Sequence, residues 1–210
     1  MIKKECAICG KVNLVSDDKY IDKFVTTNTP GAKLYFDLWH FNIESCESCG
    51  YASMDISKCE NTSIKYVSKE SNPIYKALND VRTNKIVDYI HASKYYEMLG
   101  DKKYQALCLI QAGDMVYSEI MYWKEYILTE DEEIPELYEL GEKLYGQGIE
   151  SLREYLDSNP NDIDMKIVLV GVMLDSKDKS LGFSVLQNLK KLPLSNDQKL
   201  ILDFLSNEIY

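Results

Sequence analysis

Apolar residues recur at helical spacing through the second part of the chain. From residue 73 onward they follow one another at intervals of three or four, which is the period of an amphipathic helix. Gly100, Pro135, Asn159-Pro160, the turn Ser176–Lys179 and Pro193 interrupt the pattern, as residues at helix ends do. The interruptions predict six helices, at about 74–99, 102–126, 135–157, 162–175, 179–191 and from 195 to near the C-terminus.

The first sixty residues follow a different pattern. Lys11–Val15 alternates polar and apolar residues, which predicts a short strand, and Lys33–Ile43 is rich in aromatic and branched residues, which predicts a strand pair. Asn61–Asn72 is polar and reads as a connection. We therefore predict a small β-rich unit at 1–60, a connection at 61–73 and a helical domain at 74–210. A β-rich unit with so little apolar mass usually needs a staple.

The helical region contains loosely repeated motifs. Tyr96-x-x-Leu99-Gly-Asp, with Ala106 after it, resembles the tetratricopeptide pattern, and so does Leu152-x-x-Tyr-Leu-x-x-Asn-Pro160. Short turns between the predicted helices favour antiparallel neighbours. The fold class predicted is mainly α, with tetratricopeptide-like antiparallel helix pairs following the small β-rich unit.

Four cysteines of the β-rich unit are arranged in a pattern that is typical of metal binding. Cys6, Cys9, Cys46 and Cys49 form two Cys-x-x-Cys-Gly motifs. Such a motif on a tight turn directs two thiolates at one ion, and the glycine permits the positive φ that closes the turn. Two of these turns beside predicted strands are typical of a zinc ribbon. All four thiolates would then bind one Zn²⁺, leaving no position open, so the zinc is predicted to be structural.

Two other interpretations of these motifs are less favoured. A thioredoxin-type redox pair needs a single Cys-x-x-Cys at a helix start in a βαβ unit, and neither condition is met here. Two independent structural pairs would leave the matched motifs unexplained. Iron can occupy the same four-thiolate site as in rubredoxin, and the ligands alone do not separate it from zinc.

The remaining cysteines and histidines offer weaker candidates. Cys108 lies in an apolar helical run and is predicted to be buried, while Cys59 is a spare thiol. His40 can replace a cysteine as ligand, although four cysteines already suffice. His91 lies within a helical pattern and is predicted to be packed rather than catalytic.

Charge limits the partners. The formal net charge is −10, and most of it lies beyond residue 72. An acidic surface repels phosphate backbones, so nucleic acid is a disfavoured partner and a protein with a basic surface is a favoured one. The acidic run Thr129–Glu136 is a docking candidate, although such a run is more often a solvated helix start. No apolar run reaches membrane-spanning length, and no signal peptide precedes Cys6, so we expect a cytoplasmic protein.

The aromatic residues of the first helices allow two interpretations. Tyrosines crowd residues 95–126, where they can form a concave surface for a partner or pack between helices with their hydroxyls at the rim. Ordinary packing is the favoured interpretation.

The second cysteine motif carries a family resemblance. Cys46-x-x-Cys49-Gly-Tyr-Ala52, preceded by Cys6-x-x-Cys9 and followed by helices, resembles the bacterial domain-of-unknown-function family 2225. Its members tend to have Cys-Pro in these turns, where Ala7 and Glu47 stand here. The resemblance implies a zinc-binding N-terminus, a helical remainder and no established activity.

Together these features favour a non-enzymatic protein–protein interaction module with structural zinc. No Ser-His-Asp set or phosphate-binding loop is present in the sequence, and the two histidines are far apart. The alternatives are a rubredoxin-like iron electron carrier and an enzyme whose reaction the sequence does not specify.

Overall fold

A computed structural model describes residues 1–15, 30–61, 81–126, 135–176 and 179–207. Within these residues the chain is mainly helical, with short antiparallel strands near the N-terminus. The strands are β1 (Ile2–Glu5), β2 (Val12–Val15), β3 (Glu44–Ser45) and β4 (Ala52–Ser53). The helices are α1 (Pro30–Asp37), α2 (Val81–Leu99), α3 (Lys102–Tyr126), α4 (Pro135–Ser158), α5 (Ile163–Asp175), α6 (Lys179–Leu189) and α7 (Asn196–Asn207).

The six helices predicted for the second part of the chain are confirmed in order and approximate bounds, within the residues described. Consecutive helices pack against one another from α2 to α6, and α7 packs on α5. Between α2 and α3 the chain turns at Gly100, whose φ of 72° is the left-handed conformation that glycine adopts without strain. This tight turn places α2 and α3 side by side as an antiparallel pair.

Helix α5 is the central helix of the second half. Its N-cap is Asp162, whose carboxylate accepts a hydrogen bond from the backbone N–H of Met165. Every residue from Ile167 to Leu174 is buried. A helix that is apolar on all sides is covered on all sides, and α5 is indeed packed against α4, α6 and α7.

The prediction of a strand pair at Lys33–Ile43 is wrong, because α1 occupies Pro30–Asp37. Pro30 stands at the first helical position, where its missing N–H costs nothing. Ala32, Tyr35 and Trp39 are buried and are spaced to lie on one side of the segment. That side packs in the core of the helical region, and α1 lies against α7. Tertiary burial therefore outweighs the strand propensity of the aromatic residues.

Glycine permits the close approach of α1 to α7. A Cβ placed on Gly31 would lie 2.5 Å from the backbone oxygen of Leu200, closer than any side chain tolerates. The N-terminal sixty residues thus contribute a helix that packs against the last helix described.

The apolar core consists of two clusters that share α3 and α4. One cluster joins Tyr35 and Trp39 to side chains of α3, α4, α5, α6 and α7. The other joins Cys6, Ile43 and Tyr51 to side chains of α2, α3 and α4. Helix α3 contributes Ile110 to the first cluster and Cys108 to the second, so its two sides are buried in different cores.

Three predictions stay open. The boundary between 1–60 and 74–210 falls largely at residues outside the described ranges, and the likeness of the helix pairs to tetratricopeptide repeats stays a prediction. The acidic run Thr129–Glu136 lies for the most part outside the described residues.

None of the described helices combines the length and the apolar character that crossing a membrane requires.

Candidate metal centre

The two cysteine motifs form the tips of two hairpins. Strands β1 and β2 pair antiparallel with Glu5 opposite Val12, and β3 and β4 pair with Ser45 opposite Ala52. Residues 6–11 and 46–51 therefore form the turns between the strands. Each motif is held by the strands on either side of it.

The two turns have the same backbone hydrogen bonds. In the first, the N–H of Gly10 donates to the oxygen of Cys6 at 2.9 Å, and the N–H of Cys6 donates to the oxygen of Lys11 at 2.9 Å. In the second, the corresponding bonds join Gly50 to Cys46 and Cys46 to Tyr51, both at 2.8 Å. The repeated sequence therefore folds into a repeated local structure.

Glycine is required at the fourth turn position after the first cysteine. Gly10 has φ of 71° and Gly50 has φ of 75°, in the left-handed region. A side chain at either position would strain the backbone. The structure confirms the conformation that the Cys-x-x-Cys-Gly motif predicts.

The turns bring four sulfur atoms together. The Sγ atoms of Cys6, Cys9, Cys46 and Cys49 all lie within 4.8 Å of one another. Across the two hairpins, the Sγ atoms of Cys6 and Cys49 lie 3.7 Å apart, and those of Cys9 and Cys46 lie 3.6 Å apart. Sulfurs at about 2.3 Å from one tetrahedral ion lie about 3.8 Å apart. The four cysteines can therefore hold one metal ion between the hairpins.

The pKa values of the Cys46 and Cys49 thiols are shifted in opposite directions. Burial alone would raise the pKa of Cys46, but backbone N–H groups of Cys49 and Ser48 and the neighbouring thiols outweigh it and lower the pKa to about 7. Burial and the adjacent thiols raise the pKa of Cys49 well above its usual range. Four thiolates repel one another at this separation, and a bound cation removes that repulsion.

Exposure differs between the four ligands. Cys6 and Cys46 are buried, Cys49 is partly buried and Cys9 is exposed. The site therefore lies at the protein surface, with Cys9 on its solvent side. Cys6 and Cys46 belong to the apolar cluster shared with α2, α3 and α4.

Helix α2 holds the second hairpin through buried polar contacts. The Nδ1 atom of His91 lies 2.9 Å from the backbone oxygen of Gly50, and His91 is 5% exposed. One turn earlier, Asp88 accepts a hydrogen bond of 2.9 Å from the Ser45 hydroxyl. These contacts position the turn that contains Cys46 and Cys49 on the helix.

A charged cluster joins the two hairpins beside the cysteines. The Nζ atom of Lys4 on β1 lies 2.7 Å from Glu44 on β3 and 3.1 Å from Asp55. Hydrogen bonds from Lys4 and Ser57 outweigh burial and lower the pKa of Asp55. The N–H of Ala7 donates to the oxygen of Ile56 at 2.8 Å. The first hairpin is thus attached to the second and to the residues that follow it.

Tyrosines pack the second hairpin against α2. Tyr51 is fully buried, its ring contacts that of Tyr95, and its hydroxyl donates to the oxygen of Lys58. The hydroxyls of Tyr95 and Tyr96 accept hydrogen bonds from the N–H groups of Glu60 and Met54. Tyr95 and Tyr96 are buried, as the packing interpretation of the tyrosines predicts.

The weaker sequence candidates lie outside the four-cysteine group, among the residues described. His40 packs against the rings of Phe36 and Trp39, and burial lowers its pKa to about 4. Cys108 is fully buried, as predicted, and Cys59 donates to the oxygen of Asn61. His91 is packed, as predicted, but its contact with Gly50 makes it part of the metal centre's support.

Sequence reasoning missed the residues that support the cysteines. His91 and Asp88 lie in a helix about forty residues from the second motif, and Lys4 pairs with carboxylates forty and more positions away. No local pattern marks such residues, because their contacts exist only once the hairpins dock on α2.

In comparisons with protein-family models, curated proteins and solved structures, nothing was found to match the chain. The resemblance to the domain-of-unknown-function family 2225 stays a prediction. The function is therefore argued from the geometry of the site.

Proposed function

We propose that this chain is a zinc-binding protein whose metal is structural and whose helices form a scaffold for binding another protein. The observation that carries the proposal is the convergence of four thiols from two hairpins within 4.8 Å. Because four thiolates complete the tetrahedral coordination of Zn²⁺, no position remains for water or substrate. The metal would then stabilise the hairpins rather than perform a reaction.

The contacts around the cysteines support a structural role. The two hairpins have two and four residues per strand, too few to be stable alone. A bound ion would tie them together at their tips, and the Lys4 cluster ties them at the side. Structural zinc supplies folding free energy of this kind to small units.

Iron is the second candidate, and it would make the site an electron carrier. Four thiolates are also the ligands of iron in rubredoxin, and the exposure of Cys9 would place one ligand sulfur on the solvent side. Exposure of a cluster to solvent is one of the properties that set the potential of iron–sulfur sites. Colour separates the two metals, because ferric thiolate absorbs visible light and zinc thiolate does not.

The proposed scaffold role rests on the helices and on charge. Consecutive helices pack side by side from α2 to α6, and α4 keeps exposed residues along its whole length. The net charge of −10 favours a partner with a basic surface. Association with such a partner should be steered by charge and should slow as salt rises.

Metal analysis of the purified protein tests the metal assignment. We expect about one zinc per chain and no visible colour. The double variant Cys46→Ser, Cys49→Ser should lose the metal, whereas Cys59→Ser, which removes a thiol outside the site, should keep it. Equal metal content in the double variant and the wild type would overturn the assignment, and red protein with equimolar iron would favour the electron carrier.

Affinity capture from native extract tests the scaffold role. A captured protein would be purified, and its association rate with the wild-type chain measured at two salt concentrations. We expect a basic partner whose association slows several-fold between about 0.05 and 0.5 M salt. A measurable chemical turnover by the purified chain, with no stable protein complex, would contradict the proposal.

A further inference from the structure

A cavity lies within the helical region, away from the four cysteines. Its volume is about 200 Å³, and it is lined by residues of α1, α3, α4, α5, α6 and α7. At about 30 Å³ per molecule of liquid water, this volume equals about seven waters. No residue of the metal centre lines it.

Aromatic side chains form much of its wall. Tyr35 and Phe36 come from α1, Tyr145 from α4 and Phe204 from α7, and Trp39 lies beside them. The ring centroids of Tyr35 and Trp39 are 5.9 Å apart, and those of Tyr35 and Phe204 are 6.4 Å apart. These rings meet at tilted angles and surround the space on several sides.

Glycines create the room that two of these rings occupy. A Cβ on Gly171 in α5 would overlap the Tyr35 hydroxyl, and a Cβ on Gly113 in α3 would lie 2.7 Å from the Tyr145 ring. Both tyrosines are buried. Because each ring packs directly against the backbone of a glycine, packing fixes the position of the ring in the wall.

A carboxylate stands among these rings. Asp114 of α3 lines the cavity and accepts a hydrogen bond of 3.3 Å from the Tyr145 hydroxyl. Among the described residues, no basic side chain forms an ion pair with Asp114. Burial raises the pKa of the Asp114 carboxyl to about 6, against the opposing effect of that hydrogen bond, and the charge of Asp175 adds to the increase. The aromatic wall therefore contains an acid without a cationic partner there.

Two exposed charged residues complete the lining. Asp175 ends α5 and Lys179 begins α6, and both lie where the cavity meets solvent. With Asp114 ionised, the charged lining carries two negative groups and one positive group. The cavity is therefore net negative, and its innermost charge is the carboxylate of Asp114.

We propose that this cavity binds an alkylammonium group, with Asp114 as its counter-charge and the aromatic rings as its walls. A cation against the face of an aromatic ring is attracted by the ring's electrons, and the attraction grows as water is excluded. The ammonium group donates hydrogen bonds to a carboxylate, and its alkyl chain lies against the rings. The carboxylate of Asp114 would repel an anion. A neutral alcohol would leave the charge of Asp114 uncompensated.

The alkylammonium group has two possible sources, a free small amine or a lysine side chain of a partner protein. A chain of four carbons fits a volume equal to about seven waters in either case. This inference is independent of the proposed zinc function, because the metal centre and the cavity share no residue.

An NMR titration of the metal-loaded protein tests the proposal, with the Gly171 backbone amide as reporter. The probes are n-butylammonium, the neutral control n-butanol, and lysine blocked at both its amino and carboxyl ends. We expect butylammonium to shift the Gly171 resonance and to bind at least tenfold more tightly than butanol. Binding of the blocked lysine as well would indicate a partner's side chain, whereas its failure to bind would indicate a free amine.

Variants assign the binding to the cavity. Asp114→Asn keeps the shape and removes the charge, and it should weaken butylammonium binding roughly tenfold or more, as loss of a hydrogen bond to a charged group does. Asp203→Asn removes an equal charge from the exposed side of α7 and should leave binding unchanged. Phe204→Leu should weaken butylammonium binding without weakening that of butanol. Equal binding of the two probes, or unchanged binding in Asp114→Asn, would overturn the proposal.

Discussion

His91 is one of the residues that join the four-cysteine site to the helices. It is buried in α2, and its Nδ1 atom lies 2.9 Å from the backbone oxygen of Gly50, the glycine that closes the second turn. A hydrogen bond between His91 and that oxygen holds the turn in place. Supporting residues of this kind orient metal ligands and tune affinity.

Replacing His91 should therefore weaken metal binding as well as stability. His91→Phe removes the hydrogen bond, whereas His91→Gln retains a donor of similar reach. We expect His91→Phe to destabilise the fold by about 1 to 3 kcal/mol and to lower metal affinity about tenfold, with His91→Gln between it and the wild type. Chelator competition and thermal unfolding measure the two effects.

Ser93→Ala is the matched control for His91. Ser93 is buried in the same helix, and its hydroxyl donates to the oxygen of Ile90 within that helix. Its substitution should lower stability slightly and leave metal affinity unchanged. If His91→Phe behaves in the same way, His91 serves packing alone.

The raised pKa of Asp114 predicts that its contribution to the stability of the fold falls as pH rises. Its folded-state pKa of about 6 lies above the ordinary value of 3.8, so the folded state holds the proton more tightly than the unfolded state. Its contribution to the free energy of unfolding is greatest at low pH and is lost as pH rises through about 6. We expect Asp114→Asn to gain about 1 to 2 kcal/mol over the wild type above pH 6, with the difference shrinking toward pH 4.

Urea unfolding at several pH values measures this difference. Asp203→Asn, which removes an exposed carboxylate paired with Lys190, should show no comparable trend. A wild-type protein as stable as Asp114→Asn at pH 7.5 would mean that Asp114 is already compensated in the fold. Retention of such a residue at a cost in stability is typical of binding sites.

At this scale the sequence predicted the four cysteines that the structure brings together, and it did not predict the residues that support them. Cys46, Cys49 and Gly50 lie within five residues, so their spacing alone specifies the turn and the direction of the thiols. His91 meets Gly50 only because α2 docks on the hairpin. Long-range contacts of this kind depend on packing, which a single sequence does not display.

The secondary-structure elements also divide into those that the sequence predicted and those that it did not. Helices α3 to α7 follow from apolar period and from Gly, Pro and Asp at their ends, and their predicted bounds agree with the structure to within a few residues. Helix α1 did not follow from its sequence, because the aromatic residues around Tyr35 favour strand locally. Burial of Ala32, Tyr35 and Trp39 among the helices decides its conformation.

Metal removal should separate the hairpins from α1. Strands β1 to β4 belong to the hairpins that a bound metal would join, whereas α1 packs on α7. We expect chelation to speed hydrogen exchange of the amides of Ile2–Glu5 and Val12–Val15, because the hairpins lose their staple. The amides of α1 beyond its first turn, at residues 34–37, should keep their protection.

The variant Cys46→Ser, Cys49→Ser provides the control for this experiment. It should show fast exchange in the hairpins before chelator is added and no further change afterwards. If α1 loses its protection together with the strands, the first sixty residues open as one unit, and the packing of α1 on α7 is too weak to act alone.

In the whole molecule, α3 joins the two apolar clusters. Ile110 lies in the cluster of α4 to α7, and Cys108 lies in the cluster that contains Cys6 and Cys46. Both side chains are fully buried, on opposite sides of one helix. Protein interiors are close-packed, so disruption of one cluster should disturb the packing of α3. Because α3 also packs in the other cluster, that cluster should be disturbed as well.

This sharing predicts that a change far from the cysteines affects metal release. Leu186 in α6 is fully buried in the first cluster, and Leu186→Ala should cost about 2 to 5 kcal/mol. If the two clusters unfold as one cooperative unit, thermal loss of helix signal and thermal release of the metal should both move to lower temperature by the same amount. Leu181→Ala, the same substitution at a residue of α6 that is 49% exposed, should move neither. A metal-release midpoint that stays at the wild-type value while the helix signal falls earlier would show instead that the hairpins, α2 and the metal form a unit that unfolds separately.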